Sequence, residues 1–341
     1  MNQETPIFEA HDLTKTFVVK PDFLAAAAAK LMGKTAASQV VRAVDNISLT
    51  LKDGETLGIV GESGCGKSTL ARMIAGISDA TSGDMKFKGK NYENVLGNTA
   101  EALKIQMIFQ DPMSSLNPRH KVLDIVGEGP VTHGIIKRSE MREYVTGILK
   151  TVGLGEEHLS RFPHQFSGGQ RQRIGIARAL AVKPELLICD EAVAALDVSV
   201  QAQIANLFMD IRAATGLSML FISHDLSVIR HICDKVVVMY LGRVVEVADT
   251  KTLFEAPAHP YTRMLLEGMP KISLERRQFL PIQGEIPSPL DPPAGCHFHP
   301  RCQFATDRCQ AETPQLKTDD RGGANNCLRY SEIVGVELDD A

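Results

Sequence analysis

Residues 57–75 constrain this chain more tightly than any other stretch. Leu57-Gly58-Ile59-Val60 is a short apolar run, Gly61-Glu62-Ser63-Gly64-Cys65-Gly66-Lys67-Ser68-Thr69 is a glycine-punctuated loop, and Leu70-Ala71-Arg72-Met73-Ile74-Ala75 reads as helix. The loop fits G-x-x-x-x-G-K-S without a gap, and strand, loop and helix in that order are the context in which such a loop cradles phosphate. This places the chain among α/β folds. Backbone amides of residues 63–69 are expected to surround the α- and β-phosphates, Lys67 to neutralise β/γ charge, and Ser68 to ligate Mg²⁺. The candidate nucleotide-binding residues are Gly61, Ser63, Gly64, Cys65, Gly66, Lys67, Ser68 and Thr69. Cys65 reads as a small tolerated residue of the loop.

Further short apolar runs at 105–109, 186–189 and 219–222 suit a parallel sheet covered on both faces, with helices between its strands. Residues 199–214 carry Ile204, Leu207, Phe208 and Ile211 at i, i+3, i+4 and i+7, a stripe that core packing explains without a cofactor. The run at 186–189 ends in Asp190-Glu191, which delivers two carboxylates to the sheet edge beside the phosphate loop. Strand-end acids often serve only as helix caps. Beside such a loop, Asp190 is expected to hold Mg²⁺ through its water shell and Glu191 to polarise the water that attacks the γ-phosphate. His224 follows the run at 219–223 to the same edge, where a neutral imidazole contacts γ-phosphate and steadies Glu191 or the water. Gln110, after 105–109, is placed alike and senses Mg²⁺ or water. Phe17 is either a core residue or a stacking platform for adenine.

A second anion-reading device stands ahead of the acid pair. In Phe166-Ser167-Gly168-Gly169-Gln170-Arg171-Gln172-Arg173, a Ser-Gly-Gly-Gln turn opens a helix. Its glycines allow close backbone approach, and the helix start offers free N–H groups and the positive end of a dipole. One chain thus carries two phosphate-reading devices.

The remaining organisation is coarser. Runs at 7–10 and 47–51 read as strands of an antiparallel sheet, and the alanine-rich residues 23–37 between them as a surface insert with no assigned role. Residues 111–165 read as a mostly helical insert, clearest at 139–152. Residues 236–240 and 244–247 read as a closing hairpin around Leu241-Gly242. Beyond Pro257 prolines accumulate, and a distinct C-terminal module begins. The 341 residues, 44% hydrophobic and 23% charged, are enough for a buried core and more than one domain. A net charge of -4 gives no global basic field and argues against a protein that lives on nucleic acid. No long apolar run suggests a membrane span, and residues 1–20 lack the pattern of a signal peptide, so the expected compartment is the cytoplasm.

The order phosphate loop, Gln110, Ser167-Gly168-Gly169-Gln170, Asp190-Glu191, Ala195-Leu196-Asp197, His224 resembles the ATP-binding subunit of an ABC transporter, over residues 6–255. The stretch Phe109-Gln110-Asp111-Pro112-Met113-Ser114-Ser115-Leu116-Asn117-Pro118-Arg119, with Phe162-Pro163-His164 before the signature, is similar to the oligopeptide and dipeptide permease branch. So is the tail, with Pro281-Ile282-Gln283-Gly284-Glu285-Ile286-Pro287-Ser288-Pro289 and Cys296-His297-Phe298-His299-Pro300-Arg301-Cys302. Ala192 departs from the family, which usually has proline there.

The resemblance implies a P-loop ABC-type α/β domain: a parallel core sheet, an N-terminal antiparallel β-subdomain and a helical subdomain at about 111–165. This domain spans 1–256, and a small Cys-rich C-terminal extension spans 257–341. It implies that Ser167, Gly168, Gly169 and Gln170 act in trans on the ATP of a partner, and that Asp197 lies in the loop crossing between the two sites. It also implies a second ATPase subunit, two transmembrane permease subunits docked on the helical insert, a periplasmic or extracellular solute-binding protein, and a peripheral place on the cytoplasmic face of the inner membrane. The expected function is ATP hydrolysis that drives import of di- or oligopeptides or related small solutes. The other class of reading is a soluble ABC-type ATPase acting on nucleic acid or a protein complex.

Four of the seven cysteines, Cys296, Cys302, Cys309 and Cys327, crowd into the tail. Their spacing contains no C-x₂-C pair and leaves zinc, an iron–sulfur cluster and free thiols open, with His297 and His299 as replacement ligands. The resemblance implies a 4Fe-4S cluster on the four cysteines.

Overall fold

The computed structural model describes residues 5–19, 39–111, 115–194, 196–269 and 284–333. The insert at 23–37, residues 112–114, Ala195 and residues 281–283 of the motifs quoted above lie outside the described residues. Strand β1 (Phe8–Val19) pairs antiparallel with β2 (Gln39–Leu51) and with β4 (Ser82–Phe87), and β5 (Lys90–Asn91) extends this four-stranded sheet. Both long strands run well past the short segments legible in the sequence. Register shifts between Ala10 and Thr16 break the alternation there, and Asp12 and Asn46 take positive φ values of 50° and 56°. A period-2 pattern cannot be read across such irregularities.

The larger sheet has the order β11 (Lys317–Thr318), β12 (Ala324–Asn325), β10 (Arg243–Asp249), β9 (Lys235–Tyr240), β3 (Thr56–Val60), β8 (Ser218–Ile222), β7 (Leu186–Asp190) and β6 (Ile105–Ile108). Its parallel part comprises β9, β3, β8, β7 and β6. Successive residues of these strands enter opposite cores. Leu187, Cys189, Met219 and Phe221 face one cluster, while Leu186, Ile188, Leu220 and Ile222 face the other. Burial on both faces is why the strands read as continuous apolar runs.

Helix α1 (Lys67–Ile74) follows the phosphate loop, and α2 (Val122–Thr132), α3 (Met141–Thr151) and α4 (Gly168–Leu180) lie between β6 and β7. Helix α5 (Val198–Thr215) buries Ile204, Leu207, Phe208 and Ile211, and Phe208 meets Phe221 of β8 edge to face at 5.5 Å. It stops at Gly216, whose φ of 68° suits glycine. Helix α6 (Leu226–Ile232) follows β8.

The hairpin around Leu241-Gly242 is formed by β9 and β10 (Arg243–Asp249), antiparallel to each other. The sheet then continues into the tail: β12 (Ala324–Asn325) pairs antiparallel with β10, and β11 (Lys317–Thr318) with β12. Glu246 of β10 is fully buried. Its carboxylate accepts the backbone N–H groups of Ala258 at 2.7 Å and His259 at 2.9 Å, with Arg321 3.8 Å away. A buried carboxylate without such donors is strongly unfavourable, so Glu246 fixes where the chain turns into helix α7 (Pro260–Glu267). No helix among the described residues is long and apolar enough to cross a membrane.

Candidate functional site

The order of the central strands explains the site. β3, β8, β7 and β6 lie side by side and parallel, so the residues that follow them form one row along one sheet edge: Gly61, His224, Asp190-Glu191 and Gln110. The phosphate loop closes over that edge because two of its glycines touch backbone. A Cβ on Gly61 would sit 2.2 Å from the Met239 carbonyl oxygen, and one on Gly66 2.0 Å from that of Ala43. Both also have positive φ, 152° and 107°, so any side chain there is excluded twice over. Lys67 is buried, its Nζ donating to the carbonyls of Gly61 at 2.7 Å and Glu62 at 3.0 Å. Cys65 is buried and its thiol is pushed up by burial, with Lys67 pulling the other way, so it sits as a neutral wall residue.

The Ser68 hydroxyl donates to Asp190 Oδ1 at 3.0 Å. Burial raises the Asp190 carboxyl above the usual range, the Ser68 hydrogen bond opposes this, and the charge of Glu191 adds to it. Glu191 itself has a φ of 49°, a left-handed conformation that a non-glycine residue adopts at some strain. Its backbone N–H continues the ladder to Ile222 at 3.0 Å. Its carboxylate is flanked by both neighbouring strand ends: Gln110 Nε2 donates to Oε2 at 2.6 Å, while His224 Nδ1 lies 3.7 Å from Oε1, beyond direct hydrogen-bond distance. The sequence-predicted acid pair, glutamine and histidine are thus brought together with the loop.

Ser167 and Gln170 form a reciprocal cap at the start of α4. The Ser167 hydroxyl accepts the Gln170 N–H at 3.3 Å, and Gln170 Oε1 accepts the Ser167 N–H at 3.1 Å. A Cβ on Gly169 would lie 2.5 Å from Val200, and one on Gly168 3.6 Å from Leu196. Both contacts flank Asp197, which stands at the start of α5 without a side-chain capping bond. The signature turn and Asp197 therefore share one surface, where Val198 is 81% exposed.

Phe17 is 45% exposed, with Lys15 Nζ 5.4 Å from its ring centre. Of the two sequence readings, the core residue is the one the structure excludes. In the tail, Cys296, Cys302, Cys309 and Cys327 all line one cavity, with Phe298, Phe304, Leu328 and Ile333 among its apolar walls. Burial is the leading cause that raises these thiols where shifts arise, Cys302 to about 11 and Cys327 to about 12. His299 borders the same cavity. His297 does not; burial and then the charge of Arg243 depress it to about 4. Among the described residues, no three His, Cys, Asp or Glu side chains converge closely enough to hold a single metal ion.

A phosphate loop facing an acid pair at a strand end defines a P-loop ATPase, and the Ser-Gly-Gly-Gln helix start between β6 and β7 places it in the ABC class. Residues 44–194 match the ABC transporter family model, and residues 245–309 that of the oligopeptide/dipeptide transporter C-terminal region. The chain is 44% identical to the dipeptide transport ATP-binding protein DppF of Haemophilus influenzae, over 96% of this chain and 98% of that one. It is 46% identical to the oligopeptide transport ATP-binding protein OppF of Escherichia coli, over 86% of this chain and 90% of that one. Among solved structures, cbiO1 of Clostridium perfringens superposes with a TM-score of 0.60 at 28% identity, covering 74% of this chain and 91% of that one. A bacterial ABC transporter cassette solved as a dimer gives 0.59 at 26% identity, covering 71% and 98%. The chain belongs to the ATP-binding subunits of the oligopeptide/dipeptide permease family of ABC transporters.

Proposed function

We propose that this chain is the ATP-hydrolysing subunit of an importer for di- or oligopeptides or related small solutes, and that it couples hydrolysis to movement of two transmembrane permease subunits. The observation that carries the catalytic part is the Glu191 carboxylate hydrogen-bonded by Gln110 at 2.6 Å with His224 3.7 Å from its other oxygen. So fixed, Glu191 accepts a proton from water as the water oxygen bonds to the γ-phosphorus and the bond to the ADP oxygen breaks. Gln110 and His224 keep the carboxylate aimed, and Lys67 with the loop amides of residues 63–69 neutralises the phosphates. Ser68 and Asp190 fit Mg²⁺: a hydroxyl and a buried carboxylate meet at 3.0 Å, and magnesium takes only one or two protein ligands besides phosphate oxygens and water. When bound, magnesium stabilises charge on the β/γ oxygens.

In this reading, Ser167, Gly168, Gly169, Gln170 and Asp197 complete the ATP site of a second ATPase subunit, identical or paralogous, and Phe17 stacks on adenine. Residues 1–256 form the ATPase domain, with the helical part at about 111–165 docking the permease, and 257–341 form the extension. The assembly lies on the cytoplasmic face of the inner membrane and receives solute from a binding protein outside. Purification through a tag on this chain from solubilised membranes is expected to bring down polytopic membrane subunits and an ATPase partner. Nuclease-sensitive association in place of membrane subunits overturns the reading.

We further assign a 4Fe-4S cluster to Cys296, Cys302, Cys309 and Cys327. What supports it is that the four thiols line one shared, largely apolar cavity. A cluster bound there is a redox-capable staple in a segment with little core of its own. Anaerobically purified protein is expected to contain about four iron and four acid-labile sulfide per chain. Zinc without sulfide overturns the assignment.

A further inference from the structure

The phosphate loop is held from outside the ATPase motifs. Glu62, a position that the loop pattern leaves open, carries a carboxylate gripped by both arms of one guanidinium: Arg301 Nη1 donates to Oε2 at 2.7 Å and Nη2 to Oε1 at 2.9 Å. The Arg301 side chain is only 2% exposed and that of Glu62 14%. Arg301 is itself fixed. Nη1 lies 3.3 Å from the Tyr240 hydroxyl, and the guanidinium is 5.8 Å from the Tyr240 ring centre and 6.0 Å from that of Phe298. The Glu62 backbone N–H donates to the hydroxyl of the fully buried Tyr261 at 2.9 Å, and its carbonyl accepts Lys67. Glu62 is thus held at its N–H, its carbonyl and its carboxylate, and two of the three partners, Tyr261 and Arg301, come from the chain beyond residue 256.

A loop with glycines at 61, 64 and 66 loses much backbone freedom when it wraps a phosphate. Restricting it beforehand removes part of that loss from the binding step. A planar, bidentate, desolvated Arg–carboxylate pair fixes direction as well as distance, which a lysine point charge does not. We propose that Arg301 is a positioning residue for nucleotide binding: acting through Glu62, it sets the loop amides of residues 63–66 in their phosphate-reading arrangement. The tail then determines ATP affinity, while the chemical step stays with Glu191, Gln110 and His224 on other elements.

The inference rests on the ATP-site assignment, and the test separates the two. Full-length wild type, Arg301→Met, Arg301→Lys, Glu62→Gln and the Arg301→Met/Glu62→Gln double variant are compared in the assembled transporter. MgATP KM and kcat are measured, together with binding of a slowly hydrolysed ATP analogue. Each of Arg301→Met and Glu62→Gln is expected to weaken analogue binding and raise KM about tenfold, with kcat within about threefold of wild type. Arg301→Lys recovers part of the loss. The double variant is no worse than either single, because both remove the same contact. Unchanged KM in folded variants, even with a lowered melting temperature, reduces the pair to a structural clamp and overturns the inference, as do additive effects in the double variant. If Arg301→Met fails to fold, Glu62→Gln, isosteric and on the loop itself, decides alone. A wild-type protein that binds no ATP analogue refutes the ATP-site assignment as well.

Discussion

Replacing Glu191 with glutamine is expected to lower ATP turnover by about 10²–10⁴-fold while ATP binding persists. The substitution is nearly isosteric, so the left-handed backbone at φ 49° and the N–H bond to Ile222 remain. What disappears is the negative charge and with it the proton acceptor. The loop contacts that bind phosphate come from another strand end and are untouched. The ATP-bound form therefore accumulates, seen as a stable dimer by size-exclusion chromatography in MgATP. Near-wild-type hydrolysis in Glu191→Gln removes this residue as the principal catalytic carboxylate.

Ser167→Arg is expected to cut hydrolysis by about 10²–10³-fold at the site it serves, by removing the hydroxyl proposed to meet phosphate and placing bulk at an exposed helix start. The fold tolerates the change, since loss of an N-cap costs about 1 kcal/mol. Which site suffers is read by pairing it with Lys67→Ala in mixed dimers of this chain. If the signature acts in trans, Ser167→Arg on one chain and Lys67→Ala on the other leave one complete site. Activity then matches a dimer carrying Lys67→Ala on one chain alone. Both substitutions on the same chain leave none. The reverse pattern places the signature with its own chain's loop and refutes the trans arrangement.

The phosphate loop, the acid pair, Gln110 and His224 were legible because each is a local pattern: an apolar run delivers a polar residue to a sheet edge, and the parallel strand order gathers them. The stripe of α5 was legible for the same reason. Where the local pattern breaks, legibility ends. Bulges hid most of β1 and β2, and with them whether Phe17 faced core or solvent. Glu246 sits in an apolar run, yet its charge is satisfied by amides of residues 258 and 259 that no spacing rule connects to it. The Glu62–Arg301 pair spans 239 positions; nothing near either residue signals the other. His297 and His299 are two residues apart in sequence, but only the fold separates the one bordering the thiol cavity from the one beside Arg243.

The two short strands that the tail adds to β10 solve a problem of self-association. Without them β10 would end the sheet with a row of unpaired N–H and C=O groups seven residues long, a template on which another chain's strand can build. β12 pairs with Glu246 and Val247 in the middle of that strand and breaks its edge into short pieces, and beyond it lies β11, two residues long and exposed at Lys317 and Thr318. A rim so short, with a lysine on it, offers too little backbone for a stray strand to hold. The tail thereby interrupts the flank of the sheet on which another chain's strand would otherwise build.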